Sequence, residues 1–496
     1  METSADRPEG DYMTLSHRWG GADILTLRSN NYQQLQQGIF TSDMPQAFQD
    51  TIRICKRLGV SYLWIDSLCI RQDDHDDWIR EAALMQQVYS HSFINVSALG
   101  AKDSTCSFFN TRDPSSFCRP TIQALRDWTD PTAGLRHYTV HDRHMWRNEV
   151  TEAHLNSRGW VLQERLLATR VLHFGKRQVS WECREQALAE QYPTGIPSMM
   201  HMRGDIKAMD PGVYIKRCGQ LQRASGCYTL SWQEAACRMW SDIVREYSAC
   251  QLTKESDRLV ALSGVAKEVA AMMGDEYVVG LWRAWLEYGL TWSRQKPPRG
   301  VSRPSVRRYL GVAPSWSWAS VNGPVIYSAP ADTGEALLRV VAEHLDFETR
   351  NSFGPIVGGS LSIAGSLCRL DLIDRASDRY TVGIHPMSGA GTSLWFEDLD
   401  IELDEDIEAF DPLNGMDLYC MPAFTRQRRN LPDHFRVDVL LLHPVHESCL
   451  QFMRFGMLQY LDACKPDLQA MTSYAFGNGN GASSMQDFGP DLITLV

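Results

Sequence analysis

Three short runs decide how the chain is read: Tyr12-Met13-Thr14-Leu15-Ser16, Val60-Ser61-Tyr62-Leu63-Trp64-Ile65 and Phe93-Ile94-Asn95-Val96-Ser97. Each has the length and the apolar content of a strand. Between the first two, Pro45 stands where a first helical turn tolerates it, Phe48, Ile52 and Cys55 recur at helical spacing, and Gly59 supplies a stop. Between the second and third, Trp78, Ala82, Met85 and Tyr89 mark another helical stripe. Strand, helix, strand, helix, strand is the order of a parallel sheet with right-handed crossovers. It predicts that the strands ending near Ser16, Asp66 and Ser97 lie side by side. The nearly continuous apolar run from Val60 to Ile65 predicts a central strand covered on both faces, with Asp66 closing it.

Outward from this core, residues 115–152 are irregular and read as an insertion or a loop-rich connection. Val161 to Leu167 suits a helical turn, and Arg170 to Phe174 with Gln178 to Cys183, separated by Gly175-Lys176-Arg177, suits a hairpin. A three-strand sheet leaves apolar edges open, so the hairpin is expected to fold back on it and make residues 12–190 one domain. Trp232 to Tyr247 and Asp257 to Met273 look helical within a mainly helical middle region, 191–330. The Gln295 to Ser305 stretch, rich in Pro, Arg and Gly, reads as a surface linker. Alternating runs from Leu337 to His446 predict a β-rich C-terminal subdomain over residues 331–460. Residues 1–11 and 461–496 read as flexible ends. The tail's Gly477-Asn478-Gly479-Asn480-Gly481 follows no strand, so it is not a dinucleotide loop. The expected class is therefore α/β: a parallel βαβαβ core with an extra hairpin, a helical segment, and a β-rich subdomain.

At 496 residues the chain exceeds what one hydrophobic core supports. A net charge of −11 gives no attraction to phosphate backbones or anionic lipid, which argues against nucleic acid and membrane partners. No apolar run reaches the ~18 residues of a membrane span, and the polar first residues lack a signal peptide's pattern. Thirteen cysteines, an odd number, read as reduced thiols in a cytoplasmic protein. No CxxC pair is present, so no metal site is expected.

Glu81 draws attention because helical geometry sets it between Met85 and Val88, inside an apolar stripe, where a carboxylate is costly unless paired or used. Either it forms an ion pair with an arginine such as Arg18 or Arg112, or it serves chemistry. Asp66 and Cys69 lie just past a strand's carboxyl end, and Ser16 ends the first strand, where open α/β sheets place ligand crevices. Cys69 is either buried filler or a nucleophile assisted by His17, His75 or His91. Asp66 either caps a loop or acts in the crevice. The Asp73-Asp74-His75-Asp76-Asp77 run lacks the spacing and glycine of a calcium loop and suits a helix N-terminus. Trp316 and Trp318 alternate with serines, as in a half-buried strand with both rings packed on one face.

Leu15-Ser16-His17-Arg18-Trp19-Gly20, Tyr62 to Ile70 with Gln72-Asp73-Asp74, Asp77-Trp78 with Glu81, Met85 and Tyr89, Ser157 to Arg165, and Trp181-Glu182-Cys183 follow one another in the order of a family pattern. The chain resembles fungal heterokaryon-incompatibility (HET) domain proteins. His17 stands where many members carry Tyr. The segments Leu252-Thr253, Asp257-Arg258-Leu259, Gly280-Leu281-Trp282 and Pro314 to Ser320 are similar to what often follows the domain. The resemblance implies a regulator or effector of non-self recognition and programmed cell death, acting with protein partners or by self-association. HET domains in turn look distantly like TIR domains, some of which hydrolyse NAD with a helix glutamate. That step implies a TIR-like core, Glu81 as catalytic carboxylate with Asp66 and Cys69 beside it, and ligand contacts at Ser16, His17, Arg18 and Trp19. NAD would be a substrate, and no cofactor is implied. An enzyme of fungal secondary metabolism acting on a small molecule or nucleotide in the same crevice, and a non-catalytic self-associating module, stay open beside it.

Overall fold

The computed structural model describes residues 9–21, 24–125, 134–197, 200, 206–222, 230–295, 311–327, 334–376, 379–387, 394–403, 417–428, 431–445, 450–464 and 491–496. The expected linker beyond Gln295, the first eight residues and the glycine-rich run at Gly477 lie outside them. The chain divides into two compact units, Met1–Val213 and Tyr214–Val496.

The first unit is built on β1 (Tyr12–Ser16), α1 (Gln46–Leu58), β2 (Tyr62–Trp64), α2 (His75–Ser90) and β3 (Ile94–Ser97). Further on come β4 (Thr121–Leu125), β5 (Leu135–Thr139), α3 (Gly159–Leu167), β6 (Arg170–Phe174), β7 (Val179–Cys183) and β8 (Ala187–Ala189). Sheet order is β2-β1-β3-β6-β7-β8. β1 pairs in parallel with β2 and β3, and β3 with β6, while β7 and β8 complete the sheet antiparallel. The parallel neighbours expected from the three opening runs are present, and the hairpin extends them. The edge position corrects one expectation: β2 is the outermost strand and only half-buried, and the covered interior strands are β1 and β3. The insertion is more regular than its sequence suggests, because β4 and β5 pair as an exposed hairpin.

The pleat divides this sheet chemically. On one face Met13, Leu15, Ile94, Val96 and Phe174 pack with Phe48 and Ile54 of α1. On the other, parallel register brings Thr14 level with Asn95 and Ser16 level with Ser97, and Ser97 is level with His173. All five are buried. Successive strand residues point to opposite faces, so alternating apolar and polar residues here give one dry apolar layer and one buried polar layer. Over the polar layer α3 supplies Glu164 and Arg165, both buried, and α2 packs against α3 through Trp78 and Trp160, whose rings meet edge-on at 6.2 Å.

In the second unit the capping box of Ser231 and Glu234 starts the helix Trp232–Ser248, and Gly274 at φ 64° ends the helix Ser263–Met273. The β-rich part contains a closed ring. Cys368–Ala376 pairs with Arg379–Pro386, that with Leu394–Leu403, that with Gln451–Cys464, that with Leu431–Pro444, that with Leu418–Arg428, which returns to Cys368–Ala376. Closure removes free edges, and Leu370, Val382, Ile384, Cys420, Val439 and Leu458 share one apolar cluster. Two expectations are corrected here. Trp316 and Trp318 pack in the core as expected, with both rings fully buried, but not as a strand: Trp318 opens a 3-10 turn, and its indole donates to the Gly280 carbonyl at 2.9 Å. The end of the supposed flexible tail, Leu492–Leu495, is a strand between Ile356–Ala364 and Gln451–Cys464, because its alternation buries Ile493 and Leu495.

Candidate functional site

At the carboxyl ends of β1 and β2, the loop from His17 to Gly20 is tied down from several sides. Arg158 Nη1 donates to the His17 carbonyl at 2.6 Å, Ser104 Oγ to the Arg18 carbonyl at 2.7 Å, and the Trp19 indole to Asp66 Oδ2 at 3.0 Å. Gly20 has φ 75°, and a Cβ there would stand 2.5 Å from Asp103 Cβ, so the close approach of the two loops requires glycine. Asp66 opens the single turn Asp66–Cys69 and also accepts the Ser67 backbone N–H at 2.7 Å. It is a local cap and the acceptor that holds the Trp19 indole.

Arg18, Trp19, Asp66, Cys69 and Glu81 are partly exposed. Among the described residues Glu81 forms no ion pair. Arg112 instead meets Glu190 at 2.7 Å, and Arg18 keeps a buried Nη1 without a partner. The structural pairing considered for Glu81 is thus not made. Burial and the nearby Asp77 carboxylate raise the Glu81 pKa, with Arg80 opposing. Burial pushes the Cys69 thiol up to about 11, with the charges of Asp66 and Glu81 adding to it. A thiol so protonated is a poor nucleophile at neutral pH.

Ser16 and His17 are shut away from solvent, at 1% and 3% exposure. Ser16 accepts from the Asn95 amide at 2.9 Å and donates to Glu164. The His17 ring lies edge-on to Phe48 with Nδ1 3.8 Å from Asp66 Oδ1, and burial lowers its pKa, leaving it neutral. The acidic run before α2 is spent on local structure. Asp74 caps the helix by accepting from Asp77 N–H, Asp77 accepts from Arg71 N–H at 2.8 Å, and Asp73 accepts from Ser29 N–H at 2.9 Å.

Sequence reading did not single out Glu164, Asn95, Tyr89 and Arg158 for the site. Burial first, then the Asp66 charge, raises Glu164 to about 7, and burial with Glu164 nearby lifts Tyr89 well above the phenol range. The signal for Asn95 was the polar alternation of the two strand runs, Thr14 and Ser16 in β1 and Asn95 and Ser97 in β3, which only the pleat and the register bring together. Residues 12–164 match the family model described as Heterokaryon incompatibility protein (HET). No curated protein and no solved structure matches the chain. The HET match spans Ser16, Asp66, Glu81, Asn95 and Arg158 and ends at Glu164. It points to a role in heterokaryon incompatibility. No helix among the described residues is long and apolar enough to cross a membrane.

Proposed function

We propose that the HET segment acts in fungal heterokaryon incompatibility as a hydrolase of N-glycosidic bonds, with a nicotinamide dinucleotide as substrate, in the crevice bordered by Arg18, Trp19, Asp66, Cys69 and Glu81. The observation that carries this reading is Glu81: a partly exposed carboxylate without an ion pair, close enough to Cys69 for its charge, with that of Asp66, to act on the thiol. Breaking the bond between ribose C1′ and the pyridinium nitrogen sends the bonding pair to nicotinamide and leaves positive charge on the ribose. A carboxylate in a poorly solvated crevice stabilises that charge. Water then adds at C1′ and loses its proton to a carboxylate, giving ADP-ribose, nicotinamide and a proton. Arg18, with its unpartnered guanidinium nitrogen, suits the pyrophosphate. Depletion of NAD would connect this chemistry to programmed cell death.

Nicotinamide release from NAD by the purified chain tests the proposal. Release by wild type, with at least a hundredfold loss in a folded Glu81→Gln variant, is expected. Absence of release by wild type at high protein concentration would count against it. Self-association is a second reading, favoured by the β4–β5 hairpin, where Ile122, Leu135, Tyr138 and Val140 are exposed at 52%, 66%, 40% and 43%. A two-stranded ribbon is marginal alone, and a concentration-dependent mass lost on Ile122→Lys would support that reading.

A further inference from the structure

Glu164 is 5% exposed, so it does not touch a substrate, yet the Asp66 carboxylate, which borders the proposed site, acts on it directly. Four groups from four parts of the fold face it: Ser16 from β1, Asp66 from the turn after β2, Tyr89 from α2 and Arg158 from the entry to α3. Asn95 of β3 joins through Ser16, and His17 lies beyond Asp66. We propose that Glu164 is a positioning residue for the hydrolysis: its carboxyl, in the protonated form and tied to Ser16, fixes the strand end beside Asp66. This rests on the hydrolase reading of the crevice.

The hydrogen-bond directions give the first reason. The Asn95 amide donates to Ser16 Oγ, and the Ser16 hydroxyl donates to one Glu164 oxygen. Glu164 thereby anchors β1 and β3 to α3 at the point where the chain turns into the His17–Gly20 loop. Charge gives the second reason. Two neighbouring carboxyls do not both ionise cheaply, and the proton goes to the one with poorer support. Asp66 accepts the Trp19 indole and the Ser67 N–H and reaches solvent. Glu164 is dry, and the nearby Arg158 guanidinium is committed to the His17 carbonyl at 2.6 Å. The Ser16 hydroxyl donated to Glu164 favours the ionised form, but burial and the Asp66 charge outweigh it and raise the Glu164 pKa to about 7. Ionised, Glu164 would place a second negative charge behind Asp66, disturb its hold on Trp19 and loosen the crevice.

The test is nicotinamide release from pH 6 to 8, read beside the ring-carbon NMR signal of Tyr89, assigned with Tyr89→Phe. Wild-type kcat should fall about tenfold over this interval as the single proton leaves, with KM little changed. Glu164→Gln cannot lose a proton and should show no such fall, and the Tyr89 transition near pH 7 should be absent from it. Asp66→Asn supplies a second variant should Glu164→Gln fail to fold: the Tyr89 transition should move to lower pH. A Tyr89 transition without any nicotinamide release would uphold the Glu164 arrangement while removing the hydrolase reading. A Tyr89 signal flat from pH 6 to 8 in wild type, or a wild-type pH fall retained in Glu164→Gln, would overturn the proposal.

Discussion

Glu164 and Glu182 are two buried glutamates between α3 and the polar face of the sheet, the first on the helix and the second on β7, and their charges are handled in opposite ways. Glu182 lies against Arg165, which grips it through two contacts of 2.5 and 2.9 Å, and against His173 Nε2 at 3.1 Å. Burial raises its pKa, but Arg165 and His173 outweigh that and hold Glu182 well below the usual carboxylate range. Lys207, itself brought down to about 7 by burial, donates to the Arg165 and Ala168 carbonyls and fastens the end of α3. Glu164, the residue before Arg165, has no such grip, and the charge that acts on it most strongly is another carboxylate, Asp66. The difference separates a structural ion network from a group whose protonation responds to its surroundings, and only the second kind lies beside Asp66.

The largest effect should come from breaking the network. Arg165→Met strands the Glu182 charge in a dry layer, and denaturant unfolding at pH 7 should show a loss of about 3–5 kcal/mol. Glu164→Gln at pH 8 should cost nothing comparable, and a similar loss there would erase the distinction.

The next effect is on pH dependence. The folded-state pKa of Glu164, about 7, lies above its ordinary 4.5. A raised carboxyl contributes stability that is complete below the unfolded value and is lost as pH rises through the folded one. The swing between about pH 4.5 and 7 is on the order of 3 kcal/mol, and it should be missing from Glu164→Gln in unfolding curves taken across that window. Glu182 contributes in the opposite sense: its stabilisation is present above the ordinary carboxylate pKa and lost as pH falls through its depressed one.

The smallest effect is expected at Cys69. With its thiol at about 11 it should alkylate slowly at pH 8, well after the exposed Cys118, and mass spectrometry after a brief iodoacetamide pulse reads the order. Labelling of Cys69 as fast as Cys118 would mean that the Cys69 thiol is better solvated than the structure has it.

Much of the fold could be read directly. Period-2 runs, helical stripes and Gly59 gave the parallel core, since local pattern and tertiary outcome agree there. Edge position was not readable for β2, because an apolar run of that length suits an edge as well as a centre. The polar layer was less legible still. Thr14, Ser16, Asn95 and Ser97 look like ordinary strand residues until register aligns them. Glu164 sat in full view inside Gly159-Trp160-Val161-Leu162-Gln163-Glu164, yet its value depends on contacts with residues 16, 66 and 89, which no local spacing encodes. Glu81 could be found because a carboxylate in an apolar stripe is an anomaly within one helix.

The contrast between the two glutamates can be measured in a single sample. Carbon-13 NMR of protein labelled at the glutamate side-chain carboxyl, with Glu164→Gln and Glu182→Gln assigning the signals, follows both groups from pH 4 to 8. Glu164 should titrate with a midpoint near 7, while Glu182 should stay ionised throughout. Both signals unchanged above pH 5 would contradict the account, since Glu164 would then be one more paired carboxylate of a structural layer.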